Sequence, residues 1–240
     1  RAAFDIARDR FDRISFDLIC ARQDQTPDAW AAELDAALHL AADHLSLYQL
    51  TVEPGTAFAD RLARGGLRGL PDEDIAAELY EMTVAACEAA GLLLYEVSNF
   101  ARPGAECRHN LLYWSGGDYA GVGPGAHGRL SLDGTRWATE QESQPGKWLD
   151  SVRANRTDHR SAIRLSLQDQ WLEYILMSLR KRSGVHLPTL ERLGEPPAGF
   201  EDRVADLADH GLIRQDGDRL MATARGRPLL DAIVGDLVRE

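Results

Sequence analysis

The sequence has only three cysteines, and they lie too far apart to form a local metal site. Cys20 and Cys87 are separated by 67 positions, and Cys107 follows 20 positions later. Iron–sulfur clusters and structural zinc sites are usually held by cysteines about two to four positions apart. The spacing therefore excludes a locally assembled iron–sulfur or zinc site, and it fits a reducing compartment better than a secreted protein.

Basic charge and long apolar runs are also scarce. The 27 lysines and arginines are outnumbered by 38 aspartates and glutamates, and a net charge of −11 disfavours binding to nucleic-acid phosphates. No apolar run approaches the roughly 18 residues needed to span a bilayer, and no basic-then-apolar leader opens the chain. The sequence predicts a cytoplasmic protein with no nucleic-acid partner. Because the first residue is Arg1 rather than Met, we expect the natural protein to begin further upstream.

Several common catalytic strings are missing as well. The sequence contains no H-E-x-x-H, G-x-S-x-G or Walker A string, which argues against a self-sufficient hydrolase or kinase. Aromatic residues make up only 7%, but 44% of the 240 residues are hydrophobic. This content suffices for one large domain or two smaller ones with proper cores.

Strand and helix patterns alternate through the first two-thirds of the chain. Short apolar runs at Ile14–Cys20, His44–Thr51 and Leu92–Val97 predict three strands, the first of them buried on both faces. One helix is predicted to begin after Thr26, which precedes a proline, and another near Asp72 in an acidic first turn. This order predicts an α/β fold with a parallel sheet and right-handed crossovers, although three strands do not close a barrel.

The pattern changes after Ser98. We expect a loop from Ser98 to Gly128, followed by a tight hairpin at Asp133-Gly134. The polar segment Arg153–Arg160 is untypical of a core, so the sequence predicts two domains, residues 1–155 and 160–240.

The second predicted domain resembles a winged helix. Helices at Ser166–Arg180 and Gly199–His210 are followed by two short strands around Gly217 and a terminal helix from Thr223. Residues 160–240 hold 12 basic and 13 acidic residues. The charge favours a structural or docking module over DNA binding.

The densest group of chemically versatile residues is Cys107–Trp114 (CRHNLLYW). A helical spacing places His109, Leu112 and Tyr113 on one face, where imidazole and aromatic rings could line a flat aromatic ligand or a metal-bearing macrocycle. The alternative is a histidine whose hydrogen bonds are satisfied beneath a loop.

Three further features have both a functional and a structural interpretation. The loop Gly121–Gly128 carries four glycines and serves either close ligand approach or a tight turn. Asp17 interrupts an apolar strand and is expected at a barrel mouth rather than in the core, and Glu53–Thr56 forms a turn after the next strand. Either carboxylate could instead serve as a helix cap or loop bridge.

Three long strings carry a resemblance to a known family. His44–Thr56 (HLSLYQLTVEPGT), Tyr95–Asn110 (YEVSNFARPGAECRHN) and Tyr113–Gly128 (YWSGGDYAGVGPGAHG) closely resemble the HemW-type haem chaperones. These are radical S-adenosylmethionine (SAM) proteins related to oxygen-independent coproporphyrinogen III oxidase. The resemblance implies the C-terminal part of a radical-SAM β/α barrel followed by a small winged-helix-like α+β domain.

The resemblance also implies cofactors and site residues. The family's C-x-x-x-C-x-x-C motif for a four-iron–four-sulfur (4Fe-4S) cluster lies upstream and is absent from this chain. The expected SAM contacts are Asp17, Thr51 and His127. The family's haem-associated H-N-x-x-Y-W motif corresponds to His109, Asn110, Tyr113 and Trp114, with His109 as iron ligand and Cys107 as its rival. The chain departs from the family's pattern at Cys20–Gln23 (CARQ), where relatives usually have tyrosine or histidine, then a small residue and a proline.

Two functions of different classes follow from the resemblance. The favoured one is a haem chaperone that transfers haem to an acceptor protein, such as a membrane-associated respiratory enzyme. The alternative is a radical-SAM enzyme of the coproporphyrinogen oxidase type, which resembles this chain less well through Cys107–Trp114. A truncated, inactive fragment is the third interpretation.

Overall fold

The computed structural model describes residues 2–40, 43–155 and 160–239. Within them the chain divides into two compact units, Arg1–Cys107 and Arg108–Glu240. The domain limits expected from the sequence, 1–155 and 160–240, stay a prediction. The compact units divide elsewhere, because one sheet of the second unit contains strands from both sides of the expected boundary. Residues 156–159, which belong to that boundary, lie outside the described ranges.

The first unit combines four helices with one four-stranded sheet. Its elements are α1 (Ala2–Arg8), β1 (Asp17–Cys20), α2 (Pro27–Leu40), β2 (His44–Gln49), α3 (Ala57–Ala63), α4 (Glu73–Ala89), β3 (Leu93–Glu96) and β4 (Asn99–Ala101). Both predicted helix starts are confirmed. The Thr26 Oγ1 accepts a hydrogen bond from the N–H of Ala29 at 3.2 Å, and the Asp72 carboxylate accepts one from the N–H of Ile75 at 2.9 Å.

The sheet of the first unit is only partly parallel. Its strand order is β1-β2-β4-β3, with β1 parallel to β2 and β4 antiparallel to both of its neighbours. The prediction of a purely parallel sheet, with a loop starting at Ser98, was therefore wrong at β4. A tight turn after Glu96 reverses the chain, and Asn99–Ala101 then inserts between β2 and β3. Three residues are too few for their periodicity to indicate a strand.

One face of this sheet carries the core of the first unit. Helices α2 and α4 cover it with Trp30, Leu34, Leu79 and Cys87, which pack in one cluster with strand residues such as Leu45. Strand β1 was expected to be buried on both faces, but the exposed fraction of Ile19 is 45%. The side chains of β1 alternate between exposed and more buried positions, because only one sheet face is covered by these helices.

The second unit begins with a helix and a three-stranded antiparallel sheet. These are α5 (Arg108–Trp114), β5 (His127–Leu132), β6 (Thr135–Gln141), α6 (Pro145–Arg153) and β7 (Arg160–Arg164), with strand order β5-β6-β7. The predicted hairpin is confirmed, since Asp133 and Gly134 have φ values of 49° and 74°, as a type I′ turn requires. The polar segment Arg153–Arg160, where the domain boundary was expected, extends from the last residue of α6 to the first residue of β7.

The winged-helix-like arrangement is confirmed in the remaining elements. They are α7 (Leu167–Ser178), β8 (Val185–His186), α8 (Leu187–Arg192), α9 (Phe200–Asp209), β9 (Ile213–Asp216), β10 (Arg219–Ala222), a 3₁₀ turn (Arg227–Leu229) and α10 (Leu230–Leu237). The strand order is β8-β10-β9. Buried Trp171 and Ile175 of α7 and Ile233 of α10 contribute to the apolar interior. Helix α9 carries four carboxylates and one arginine, which is unfavourable for contacting phosphates.

Candidate functional site

Helix α5 confirms the helical spacing expected for the Cys107–Trp114 segment. The rings of His109 and Tyr113 lie one turn apart in an edge-on contact, with centroids 5.5 Å apart and planes at 62°. Tyr113 also contacts Trp114, at 4.7 Å between centroids, and Tyr119, at 6.2 Å. The helix thus presents an imidazole at the edge of a small aromatic cluster.

His109 is available for an external ligand. Its side chain is exposed, and within the described residues neither ring nitrogen makes a hydrogen bond. A histidine satisfied beneath a loop, the alternative from the sequence, would be buried with partners on its nitrogens. The structure therefore contradicts this alternative, and the haem assignment of His109 stays a prediction. Asn110, Tyr113 and Trp114 are all partly buried beside it.

Residues distant in sequence hold the C-terminal end of α5. The Ser178 hydroxyl donates a hydrogen bond to the Trp114 carbonyl at 3.1 Å, and the Lys181 ammonium donates one to Ser115 Oγ at 2.9 Å. The Arg180 guanidinium lies 5.7 Å from the centroid of a Trp114 ring, within cation–π range. The sequence analysis missed these contacts, because no local pattern relates residues more than 60 positions apart.

Cys107 belongs to the first unit and is held there through its backbone. Its N–H donates to the Tyr95 hydroxyl at 3.3 Å, and that hydroxyl lies 2.8 Å from Nε2 of His44. Nδ1 of His44 lies 2.7 Å from Ser15 Oγ. Both ring nitrogens of His44 are therefore engaged in hydrogen bonds. Burial lowers the pKa of His44, which favours its neutral form. The Cys107 side chain itself is partly buried.

The three residues expected to contact SAM are all exposed. Asp17 is the first residue of β1 and pairs with Ser46, whereas Thr51 follows the end of β2. At about 3.3 Å per strand residue, the five positions from Ser46 to Thr51 correspond to roughly 16 Å. The sequence analysis expected Asp17 inside a strand, but the structure places it at the beginning of β1. His127 begins β5 in the second unit. The SAM assignment of these residues stays a prediction.

The glycine-rich loop Gly121–Gly128 has a structural explanation. A Cβ added to Gly128 would lie 2.7 Å from the Gly121 nitrogen and 2.6 Å from Thr139 Oγ1, so the backbone segments pack too closely for a side chain. Gly123 and Gly125 have φ values of 110° and 71°, which few other residues adopt. The structure thus favours the tight-turn interpretation.

The cysteines present do not fit an iron–sulfur cluster. Cys20 and Cys87 are buried in the apolar core, where burial raises the pKa of their thiols to about 11 and about 12, respectively. Metal coordination requires the thiolate, which these surroundings disfavour. In the described part of the chain, no group of three or more histidine, cysteine or acidic side chains is placed to hold a metal ion.

Comparisons with known proteins relate the chain to one family. Residues 165–229 match the family model of the HemN C-terminal domain. Heme chaperone HemW from Mycobacterium tuberculosis is 41% identical over 237 residues, covering 99% of this chain and 58% of the relative. HemW from Bacillus subtilis is 34% identical over 241 residues, covering 99% and 62%, respectively. Over nearly its whole length the chain is similar to the HemW proteins. A further relative is the mitochondrial radical S-adenosyl methionine domain-containing protein 1 of Mus musculus, 36% identical over 232 residues, with coverage of 92% and 52%.

A solved structure shows the same fold as this chain. Coproporphyrinogen III oxidase (HemN) from Escherichia coli, described as a radical SAM enzyme, matches with a TM-score of 0.76 at 21% identity. The match covers 99% of this chain and 57% of that one, and it confirms the predicted fold class. The chain spans 58% of the length of the Mycobacterium tuberculosis relative. None of its described helices is long and apolar enough to cross a bilayer.

Proposed function

We propose that this chain supplies the haem-contacting part of a haem chaperone, which binds haem and transfers it to an acceptor protein. The observation that carries the proposal is His109, an exposed imidazole without hydrogen-bond partners in the described residues, in edge-on contact with Tyr113. Neutral imidazole is a common axial ligand of haem iron. The names of the HemW relatives support the same functional class.

Four residues of α5 have distinct parts in this proposal. Haem supplies an iron with open axial positions, and His109 would occupy one of them. Tyr113 and Trp114 would cover part of the macrocycle with apolar surface, excluding water from the iron–imidazole contact. Arg108, exposed at the start of α5, has a guanidinium that matches a propionate carboxylate in a two-pronged geometry.

A haem titration of the 240-residue chain tests the ligand assignment. We expect His109→Ala to weaken binding and to shift the Soret band, because an axial ligand is lost. His210→Ala is the matched control: His210 is also exposed and in the same unit, but its Nδ1 lies 2.8 Å from the Asp206 carbonyl oxygen. Equal affinity and spectrum for wild type and His109→Ala would refute the assignment.

Cys107 is the rival ligand, and the same titration separates the two. A thiolate ligand gives a spectrum different from that of an imidazole, so Cys107→Ala would abolish the wild-type band if the sulfur bound iron. We expect Cys107→Ala to retain the wild-type spectrum. Loss of the band in Cys107→Ala, together with its retention in His109→Ala, would assign the iron to the sulfur.

We further propose that this chain alone neither assembles a 4Fe-4S cluster nor cleaves SAM. The basis is the burial of Cys20 and Cys87 and the absence of the family's cysteine triplet from the 240 residues. Asp17, Thr51 and His127 would then contact SAM only in a protein that also carries the triplet. Anaerobic reconstitution with iron and sulfide, followed by iron counting and a 5′-deoxyadenosine assay, tests this. A stoichiometric cluster with turnover would contradict it.

The proposed setting is the cytoplasm, where the three free cysteines would stay reduced. A haem protein such as a membrane-associated respiratory enzyme is the proposed acceptor. The alternative, coproporphyrinogen oxidation, has no comparable observation in its favour, since a likeness at 21% identity bears on the fold alone.

A further inference from the structure

A cavity of about 350 Å³ lies within the second unit next to the aromatic cluster of α5. Helices α7 and α8 and strands β5 and β6 contribute to its wall. Much of the lining is aromatic or aliphatic and comes from Tyr113, Tyr119, Tyr174, Leu176, Met177 and Leu193. Its volume is near the lower limit of about 300 Å³ for small-molecule pockets. The cavity therefore suits one edge of a large flat molecule rather than the whole.

The two arginines in the polar part of the wall are already paired with carboxylates, whereas the Ser115 hydroxyl keeps its proton. Arg129 and Glu173 both line the cavity, but they neutralise each other in a two-pronged ion pair, with Arg129 Nε 2.9 Å from Oε2 and Nη2 2.5 Å from Oε1. Arg136 is bound to the Asp118 carboxylate at 2.9 Å. Ser115 differs, because its Oγ accepts the hydrogen bond from Lys181 and retains its own proton for donation.

Lys181 is a buried cation without a counter-ion. Its exposed fraction is 5%, and its ammonium makes one side-chain hydrogen bond, the one to Ser115 Oγ. In the part of the chain that the structure describes, no carboxylate lies within ion-pairing distance of it. Burial, with a contribution from Arg219, lowers the pKa of Lys181 to about 8. Buried charges in proteins are ordinarily paired, so the unpaired Lys181 ammonium would favour an anion bound nearby.

These observations define what the cavity would recognise. An anion that accepts a hydrogen bond from Ser115 Oγ would lie one hydroxyl away from the Lys181 ammonium, which would supply the compensating charge. The aromatic and aliphatic wall requires that this anion be attached to an apolar, preferably planar, body. A carboxylate on a flat aromatic ring system meets both requirements.

We propose that the cavity binds one carboxylate-bearing edge of a tetrapyrrole, with the carboxylate at Ser115 and Lys181 and the adjoining ring against Tyr113. The identity of the ligand rests on the proposed function. The site itself is different from the iron ligand, because His109 does not line the cavity. The cavity thus adds a carboxylate-recognising element to the α5 site.

A metal-free ligand tests this element independently of His109. Protoporphyrin IX and its dimethyl ester share the same flat ring, but only the free acid carries carboxylates. We expect fluorescence titration of the 240-residue chain to show about tenfold tighter binding of the free acid, the effect of one charge-assisted hydrogen bond. Lys181→Met should remove this preference by weakening acid binding, and Ser115→Ala should reduce it. Neither substitution should alter ester binding.

The chain offers a matched control, since Lys147 is its only other lysine and is exposed on α6. Lys147→Met should keep the full preference for the free acid. Equal binding of acid and ester by the wild type, no binding of either, or an unchanged preference in Lys181→Met would overturn the proposal. Loss of haem affinity in His109→Ala with an unchanged preference in Lys181→Met would refute only this inference. The converse result would refute only the His109 assignment.

Discussion

Replacing Lys181 by methionine should make the protein more stable at neutral pH. The pKa of Lys181 is about 8 in the folded protein, against 10.5 for an unperturbed lysine. At 1.36 kcal/mol per pKa unit, keeping this ammonium charged costs about 3 kcal/mol of folding free energy at pH 7. Methionine removes that cost and loses one hydrogen bond to Ser115, worth about 1 kcal/mol. The expected net gain is roughly 2 kcal/mol.

The sign of the pH dependence provides a second check. Between pH 8 and 10.5 the unfolded chain binds a proton at this lysine and the folded protein does not, so wild-type stability rises with pH in this window. The variant lacks the group, and its advantage should therefore nearly vanish by pH 10. Guanidinium denaturation followed by tryptophan fluorescence at pH 7 and pH 10 measures both effects, with Lys147→Met as the neutral control. A less stable variant at pH 7, or an advantage that persists at pH 10, would refute the reasoning.

Three further predictions concern the fold. Thr83→Val removes the acceptor 2.8 Å from the buried Trp30 Nε1 and should cost about 1–3 kcal/mol, measured by denaturant titration with Thr83→Ser as control. Because burial lowers the pKa of His44 below 6.5, acidification below this value should destabilise the protein, and His44→Gln should flatten that dependence; equal acid sensitivity of the variant would contradict this. Gly226→Ala should lower the melting temperature strongly, since a Cβ there would collide with the Leu212 carbonyl oxygen, whereas Gly235→Ala, with open space, should not.

Features that depend on a few neighbouring residues could be predicted from the sequence. The capping box of α7 is an example: Ser166 Oγ accepts from the Asp169 N–H at 3.0 Å, and the Asp169 carboxylate accepts from the Ser166 N–H at 2.9 Å. The hairpin at Asp133-Gly134 is another, because the turn requires positive φ at both positions. The helical pairing of His109 with Tyr113 also followed from their spacing.

Features that depend on distant partners were decided only by the tertiary structure. Strand β4 inserts between β2 and β3, and β7 pairs with β6, through backbone hydrogen bonds that leave no periodic trace in such short segments. In the sequence, Lys181 lies within the basic cluster Arg180–Arg182 at the end of a predicted helix, where an exposed side chain is expected. The tertiary fold buries it and brings Ser115, 66 positions earlier, within hydrogen-bond distance of its ammonium. Side-chain spacing encodes local geometry, whereas burial and charge compensation depend on which segments meet in space, and that is a property of the whole fold.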